Sequence, residues 1–313
     1  MMILNLQHKS FLRLMKNLIT ALLLNIFIFT SSVIWAQTNS ENIDTHINSL
    51  SEKELLIFVS RKQTLEDIFK AYKLLAEKYN NPRGQFAVGI FYLHGIKHIE
   101  KNPQEAIKWL TKSAEQNFYP AMETLYDAYM LGTDIPRDTQ KGISYLEILA
   151  NQGFDNAQFA LGKNYFNGKD IPRNMNKAVY WFEKAANQGN TEAMLYLASI
   201  YFVGDGVDKD LSKTKYWNEN AAKKGLAIAQ FNLGTLYYNG HGVDIDLVKA
   251  REWYEKSAEQ NNALAQTNLA LMYIKGEGGP QDFNKAMELL QKSCEKGDKT
   301  GCSQYLELRT KLK

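Results

Sequence analysis

The stretch Asp155–Gly189, DNAQFALGKNYFNGKDIPRNMNKAVYWFEKAANQG, decides the fold of this 313-residue chain. Its first part places Ala157, Leu161 and Tyr165 four residues apart, which is the spacing of one face of an α-helix. Gly168 predicts the end of that helix, because glycine readily adopts the left-handed conformation found just past a helix C-terminus. The stretch therefore opens with one short amphipathic helix.

A second helix is predicted where the segment KAVYWFEKAANQG begins, at Lys177. Pro172 precedes it and marks a loop, because proline is not tolerated in a helix interior. Ala178 and Trp181 share one face of the second helix, and Gly189 ends it. Neither helix can bury its apolar face alone, so neighbouring copies of the pair must stack on one another.

The same pattern repeats along the chain, which is the signature of a repeat architecture. Six units run from about Arg83 to Gly297. The tyrosine of the first helix is spaced at 36 residues, and so is the aromatic residue of the second helix except at the last unit; the two series are Tyr129, Tyr165, Tyr201, Tyr237, Tyr273 and Trp109, Tyr145, Trp181, Trp217, Trp253. We expect these aromatic residues to be buried anchors of the stack.

These residues resemble the Sel1-like repeat family, which is related to the tetratricopeptide repeat. The family pattern, A…LG..Y..G.GV..D..KA..W…AA..G, is matched nearly throughout by the fifth unit, at Ala229, Leu233, Gly234, Tyr237, Gly240, Gly242, Val243, Asp246, Lys249, Ala250, Trp253 and Ala258. The second unit departs from it at Tyr126, Gly142 and Tyr145. The resemblance implies an all-α fold, a right-handed superhelical solenoid of stacked antiparallel helix pairs.

Four parts are predicted along the chain. A capping-box pattern, Ser51-x-x-Glu54, opens a degenerate helical pair before the repeats, and a polar lead-in precedes it over Thr38–Asn48. After the repeats, Ser303–Lys311 predicts a lone polar helix. The parts are a signal peptide (1–36), a linker and degenerate cap (37–82), six repeats of about 36 residues (83–297) and a C-terminal capping helix (298–313).

The first 36 residues have the order of a secretory signal peptide. A basic start is followed by the apolar run Leu18–Thr30 and by small residues that lead to Ala36, the predicted cleavage site. The run is shorter than the roughly 20 residues that a membrane span needs, so a retained anchor is the weaker alternative. The basic residues are Lys9, Arg13 and Lys16. We expect a periplasmic or secreted protein that is not embedded in the membrane.

Charge argues against nucleic acid as a partner. The chain has 37 Lys and Arg against 34 Asp and Glu, and removal of the three basic signal residues leaves 34 of each. Without net positive charge, little counterion release would drive phosphate binding. The partner is therefore predicted to be a protein or peptide, and the chain to be a monomer.

The two cysteines are predicted to form a disulfide. Cys294 lies near the end of the last second helix and Cys302 near the start of the capping helix, and these points are close in an antiparallel pair. An exported chain meets oxidising conditions, and the bond is worth about 2.5 kcal/mol in the chain-entropy model. Two free thiols are the alternative; no metal site is predicted. The C-x7-C spacing resembles, in part, that of the Helicobacter cysteine-rich Sel1-like proteins.

Sequence fragments typical of serine β-lactamases also occur. Ser293-x-x-Lys296 and Ser212-x-x-Lys215 match S-x-x-K, and Lys299–Gly301 matches K-T-G. In those enzymes the second motif lies on a strand far along the chain, whereas here the two are adjacent at a helix turn. The matches are therefore interpreted as chance, and the protein is predicted to be neither an enzyme nor dependent on a cofactor.

The expected function is a protein-interaction scaffold or adaptor in the bacterial envelope or at the host interface. By analogy with the tetratricopeptide repeat, first-helix residues two before and two after the leucine of the Leu-Gly pair face the concave surface, where a peptide or helix would bind. The candidate binding residues are Phe86, Phe159, Lys163, Leu195, Phe231 and Thr235. The alternative for them is packing within the array. The alternative functions are a weak β-lactam or cell-wall-active hydrolase and a peptidoglycan-binding structural protein.

Overall fold

The chain is helical throughout the part that the structure describes. The structure is a computed structural model and describes residues 40–61, 63–96 and 98–312, so the predicted signal peptide lies outside the described residues. Within these ranges, the only β-structure is an isolated bridge between Ile96 and Ile99. None of the described helices combines the length and the apolar character that a bilayer crossing requires.

Sixteen helices are described, and most of them have 13 residues. They are α1 (Ser40–Ser49), α2 (Glu52–Val59), α3 (Leu65–Lys78), α4 (Pro82–His94), α5 (Pro103–Glu115), α6 (Tyr119–Leu131), α7 (Thr139–Asn151), α8 (Asp155–Asn167), α9 (Met175–Asn187), α10 (Thr191–Val203), α11 (Leu211–Lys223), α12 (Ala227–Asn239), α13 (Leu247–Glu259), α14 (Ala263–Lys275), α15 (Phe283–Glu295) and α16 (Lys299–Lys311). The first helices of the repeats are α4, α6, α8, α10, α12 and α14.

The described residues divide into two compact units, one that ends at Tyr145 and one that begins at Leu146. In the first unit, α1 and α2 pack on α3, and α3 packs on α4, α4 on α5 and α5 on α6. In the second unit, α8 to α16 each pack against the next helix in the same way. The prediction of an all-α fold of stacked antiparallel helix pairs is confirmed.

Local capping sets where the helices of each pair begin and end. The residue before each of five second helices accepts a hydrogen bond from the backbone N–H three residues on, which satisfies one of the unpaired donors of the first turn. At the end of α8, Gly168 adopts a φ of 65° and its N–H donates to the carbonyl of Asn164, as predicted. The capping residues are Asn102, Asn174, Asp210, Asp246 and Asp282.

The core repeats with the sequence. The leucine of the first-helix stripe is fully buried in four repeats, and Trp181 and Trp217 keep less than a tenth of their surface exposed. The prediction of buried aromatic anchors holds for half of the two series, since five of the ten are buried and five keep partly exposed side chains. The buried ones are Trp109, Trp181, Trp217, Tyr201 and Tyr273, and the partly exposed ones are Tyr129, Tyr145, Tyr165, Tyr237 and Trp253. The four leucines are Leu125, Leu161, Leu197 and Leu233.

A glycine lets the two helices of the fifth repeat approach closely. A Cβ atom at Gly234 would lie 2.5 Å from Cδ1 of Tyr254, inside van der Waals contact. Tyr254 is itself buried, and its hydroxyl is hydrogen-bonded to Oγ1 of Thr235 and Nδ2 of Asn268. These two hydrogen bonds fix the Tyr254 ring through its hydroxyl, so position 234 requires a residue without a side chain.

The N-terminal segment is more ordered than the sequence predicts. Helix α1 occupies most of the stretch expected to be a polar lead-in, because Ile43 and Ile47 pack into a small core with Leu55 and Leu75. The predicted capping box before α2 is present, with Ser51 and Glu54 bonded reciprocally. The burial of these two isoleucines is what packs this additional helix against the N-terminal helical pair.

The C-terminal helix α16 begins four residues before the predicted start. Asp298 caps it: its carboxylate accepts hydrogen bonds from the N–H groups of Thr300 and Gly301 and from the hydroxyl of Thr267. Burial opposes ionisation of Asp298, but these hydrogen bonds outweigh it, so its pKa is lowered. Through its hydrogen bond from Thr267 of α14, the charged cap of α16 also links this helix to the last repeat.

Candidate protein-binding surface

None of the six predicted binding residues has a fully exposed side chain: all lie on first helices, buried or half-buried, and most of them contribute to packing. In the first unit, Phe86 is buried, and its ring lies 5.4 Å from that of Phe118, centroid to centroid. Little of the Phe86 side chain is therefore available to a partner.

In the second unit, Phe159 is half-buried, with its ring 5.8 Å from that of Phe182 and 5.6 Å from that of Tyr196. Nζ of Lys163 lies 5.3 Å from the centroid of the Phe159 ring, a cation–π distance. Leu195 is half-buried in the same cluster. These residues support the stack and show only one side to solvent.

The fifth repeat has the same arrangement. Phe231 is half-buried, and its ring lies 5.8 Å from that of Tyr254. Oγ1 of Thr235 is 3.1 Å from the carbonyl oxygen of Phe231 and 3.1 Å from the hydroxyl of Tyr254. The binding role of the six candidates stays a prediction, but their truncation would disturb packing as well as any contact with a partner.

More exposed apolar residues lie on the same face and were missed by the sequence reasoning. Ile228 is 50% exposed and Leu264 is 54% exposed, each three residues before the candidate position of its helix. At the other end of α10, Phe202 is 37% exposed and Val203 is 66% exposed. Helical spacing could have found them, because residues three or seven apart share a face. We call these four residues the first-helix patch.

In the first unit, the first helix α6 carries two carboxylates, Glu123 and Asp127, one turn apart. Crowding by protein atoms, together with the negative charge of Glu123, raises the pKa of Asp127 to about 6 although its side chain keeps exposed surface. Burial alone raises the pKa of Glu123. The exposed first-helix side of this unit is therefore acidic at this point.

The hydrolase-like serine has a structural role. Ser293 is fully buried, and its hydroxyl donates to the carbonyl of Ala263 at 2.9 Å. Ser113 and Ser257 make the equivalent bonds to the first helices of their own repeats, each at 2.7 Å. Lys299–Gly301 is the first turn of α16, capped by Asp298. The two motif-like fragments are thus explained by stacking and capping.

The cysteine pair can form the predicted disulfide. The Cα atoms of Cys294 and Cys302 are 4.4 Å apart, within the range that a disulfide requires. The two residues link α15 to α16 beside the Asp298 cap. Within residues 40–61, 63–96 and 98–312, no three metal-ligating side chains are grouped together.

Short helix pairs stacked in register define a helical repeat solenoid of the tetratricopeptide-like class. The Sel1 repeat family model matches six segments of the chain, residues 82–118, 127–154, 155–190, 191–226, 227–262 and 263–298. The chain therefore belongs to the Sel1 repeat family, whose fold commonly mediates protein–protein interaction and is generally non-catalytic. The second match begins only at residue 127, where the sequence departs most from the pattern.

Two solved structures show what the chain is similar to. A protective antigen of uropathogenic Escherichia coli strains, described as having an SLR fold, is 28% identical with a TM-score of 0.71; the match covers 87% of this chain and 59% of that one. A Sel1 repeat protein from Oxalobacter formigenes is 26% identical with a TM-score of 0.52, covering 92% of this chain and 98% of that one. This chain thus spans less than two thirds of the antigen's length. No curated protein matches the chain.

Proposed function

We propose that this protein is an exported interaction module that binds a protein or peptide on the first-helix face of its second unit, in the bacterial envelope or at the host interface. The first-helix patch carries the proposal. Ile228 and Leu264 are exposed at the second residue of α12 and of α14, and Phe202 and Val203 are exposed at the last two residues of α10. Exposed apolar side chains on neighbouring helices mark contact sites.

Export is supported by three observations. The first 36 residues have the order of a signal peptide. The cysteine pair suits an oxidising compartment. The similar Escherichia coli protein is described as a protective antigen of uropathogenic strains, and by proposal this chain also acts where a host meets the bacterium.

The hydrolase alternative has less support. Ser293 is buried and donates its hydroxyl to a backbone carbonyl, so a substrate would have to displace the last helix pair to reach it. The other S-x-x-K serine, Ser212, lies on the exposed side of α11, and the adjacent Lys215 pairs with Glu219 at 3.6 Å. The carboxylate beside Ser293, that of Asp298, already accepts hydrogen bonds from Thr267 and from the first turn of α16, so it caps the helix instead of serving as a base.

The test is a crosslinking pull-down from native cells, with the chain tagged at its C-terminus and the cells fractionated into periplasm, membrane and medium. We expect one discrete partner in an extracytoplasmic fraction, and we expect it to be lost with Ile228→Lys and Leu264→Lys. Tyr216→Lys is the matched control, because Tyr216 is 53% exposed on a second helix. Recovery with the cell wall alone would instead favour the peptidoglycan-binding alternative.

A further inference from the structure

We propose that the second unit holds a binding site for the guanidinium group of an arginine side chain presented by a partner protein. The site is the groove between α9 and the loop that joins α10 to α11. The inference goes beyond the proposed function and does not depend on it, because the groove shares no residue with the first-helix patch. It rests on a comparison of repeats: two repeats fill this groove with a basic side chain of their own, and the fourth leaves it open.

The occupied form of the groove is seen in the sixth repeat, between α13 and the loop that joins α14 to α15. Cζ of Arg251, on α13, lies 3.8 Å from the centroid of the Tyr273 ring. Nη1 of Arg251 donates to the carbonyl of Pro280 at 3.3 Å, and Nε donates to Oε1 of Glu255 at 3.4 Å. Arg251 is buried, which a charged side chain tolerates when its donors are paired in this way. An aromatic ring, a carbonyl and a carboxylate together define a guanidinium site here.

The fifth repeat also places a cation in its groove. Lys215 stands 36 residues before the arginine of the sixth repeat, and its Nζ lies 6.0 Å from the centroid of the Tyr237 ring. The same Nζ lies 3.6 Å from Oε1 of Glu219. Ring and carboxylate thus recur around a basic side chain, so this position of the repeat suits a cation.

The fourth repeat leaves the groove open. The residue at the position of Arg251 is Val179 of α9, whose side chain is short and uncharged. Beside it lies a groove of about 370 Å³, and its lining includes Tyr201, Val207 and Asp208. Asp208 is exposed, so the groove is open to a side chain that arrives from solvent.

The partners of Arg251 have counterparts around the open groove. The hydroxyl of Tyr201 donates to Oε1 of Glu183 at 3.1 Å, and the tyrosine and glutamate of the sixth repeat are joined by the same bond. The carbonyl of Asp208 stands 72 residues before that of Pro280, in a loop of the same length. What differs is the residue of the second helix, which is valine instead of arginine.

The lysine of the fourth repeat does not preclude a second cation. Nζ of Lys213 lies 4.5 Å from the centroid of the Tyr201 ring. Lys285 takes the equivalent place in the sixth repeat, 5.4 Å from the Tyr273 centroid, while Arg251 contacts the same ring. One tyrosine of this series therefore accommodates a lysine and a guanidinium together.

Asp208 adds a carboxylate that the sixth repeat lacks, because Pro280 stands at its position there. In the part of the chain that the structure describes, the Asp208 side chain makes no hydrogen bond and no ion pair. The donors of a guanidinium lie in one plane and can reach a carbonyl and a carboxylate at once. An arginine in the open groove would therefore gain a charge-assisted hydrogen bond that Arg251 does not have.

The charge of the open groove favours a cation. Three carboxylates lie in or beside it against two ammonium groups; the acidic residues are Glu183, Asp208 and Asp210, and the basic ones are Lys209 and Lys213. Each ammonium group already contacts a neighbouring aromatic ring. The excess of one negative charge attracts a cation and opposes the entry of an anion.

The experiment is an NMR titration of the full mature chain, with labelled valine methyl groups, by a short glycine peptide that has one central arginine. The control peptide has citrulline instead, which keeps the shape of the side chain and loses its charge. We expect the methyl signals of Val179 and Val207 to shift with a dissociation constant of about 1–10 mM, because one side chain makes all the contacts. The citrulline peptide should bind at least about tenfold more weakly, since it forms no charge-assisted bond.

Three variants test the assignment. Asp208→Asn should weaken binding at least about threefold, whereas Asp244→Asn, the equivalent change beside the groove that Lys215 occupies, should leave it unchanged. Val179→Arg should fill the groove from within, so that the Val207 signal no longer responds to the peptide. Its midpoint of urea unfolding should not fall below that of the wild type, because Arg251 shows that the same position accepts this side chain.

The proposal is overturned if the methyl signals at the groove do not shift, if the citrulline peptide binds equally well, or if binding survives Val179→Arg or is unchanged in Asp208→Asn. A clear fall of the unfolding midpoint in Val179→Arg would also overturn it, because the groove would then reject a guanidinium. Free arginine that binds at least about tenfold more tightly than the peptide would assign the groove to the amino acid instead. None of these outcomes bears on the first-helix patch, which is tested by changes at other residues.

Discussion

Replacing Gly234 by alanine should destabilise the second unit, although alanine is the better helix former. The added Cβ would lie 2.5 Å from Cδ1 and 2.6 Å from Cε1 of Tyr254. Carbon atoms in contact are normally about 3.5–4.0 Å apart, so the ring must move by about 1 Å. It cannot do so freely, since the Tyr254 hydroxyl is bonded to Thr235 and Asn268.

The expected magnitude combines three effects. Overpacking of this kind costs about 1–3 kcal/mol, the change from glycine to alanine within a helix returns about 1 kcal/mol, and a weakened tyrosine hydrogen bond costs up to about 1 kcal/mol. Together the three effects give a net loss between about 0 and 3 kcal/mol, with about 1–2 kcal/mol in the middle of that range. In a unit of this size that corresponds to a fall in melting temperature of about 2–8 °C.

Urea unfolding followed by circular dichroism measures the change. A second variant tests the cause: the sixth repeat has alanine at the equivalent position, Ala270, and a buried leucine, Leu290, in place of the tyrosine. Gly234→Ala should therefore cost little in a Tyr254→Leu background. If Gly234→Ala stabilises the wild-type chain by about 1 kcal/mol, helix propensity alone governs the position and the close approach of the two helices is not a constraint.

Three further outcomes are expected. Lys296→Gln should stabilise the last repeat by about 0.5–1.5 kcal/mol in urea unfolding, because the new side-chain amide could donate to Gln266. The buried Oε1 of Gln266 has no hydrogen-bond partner in the described structure, whereas Oε1 of the equivalent Gln230 accepts from Gln260 at 2.8 Å. An unchanged unfolding midpoint would contradict this. Asp127→Asn should stabilise the first unit at pH 8 but not at pH 3.5, because the pKa of the Asp127 carboxyl is raised to about 6 in the folded protein and stability is therefore lost as the pH rises through 6. The gain should stay below about 1 kcal/mol, since the side chain is partly exposed. An equal gain at both pH values would exclude titration as the cause. Cys302→Ser should lower the stability of the oxidised protein by about 2–3 kcal/mol, and a reductant should then have no further effect, whereas equal stability with and without reductant in the wild type would show that the cysteines are not paired.

The periodic part of the fold could be predicted because each repeated residue has one physical task. Gly168 ends a helix and Leu161 fills the core, so their spacing alone defines the pair of helices. Helix α1 was missed because only Ile43 and Ile47 support it, and two apolar residues in a polar segment do not establish a helical pattern.

The candidate surface was predicted less completely. Helical spacing places Phe159 and Phe231 on the correct side of their helices, but it does not show how far a ring turns back into the neighbouring packing. Ile228 and Leu264 stand just before the first alanine of the repeat pattern, a position that the pattern leaves open, and their exposure is seen only in the structure.

The buried serines have a consequence for motif searches in proteins of this architecture. Ser113, Ser257 and Ser293 each lie three residues before the residue that follows the second helix of their repeat. That residue is glutamine in the first and fifth repeats and lysine in the sixth. Replacing that glutamine by lysine is thus enough to create an S-x-x-K match at a serine whose hydroxyl is already bonded to a backbone carbonyl. Long helical arrays offer this position once per repeat, so the number of false active-site matches should grow with the number of repeats.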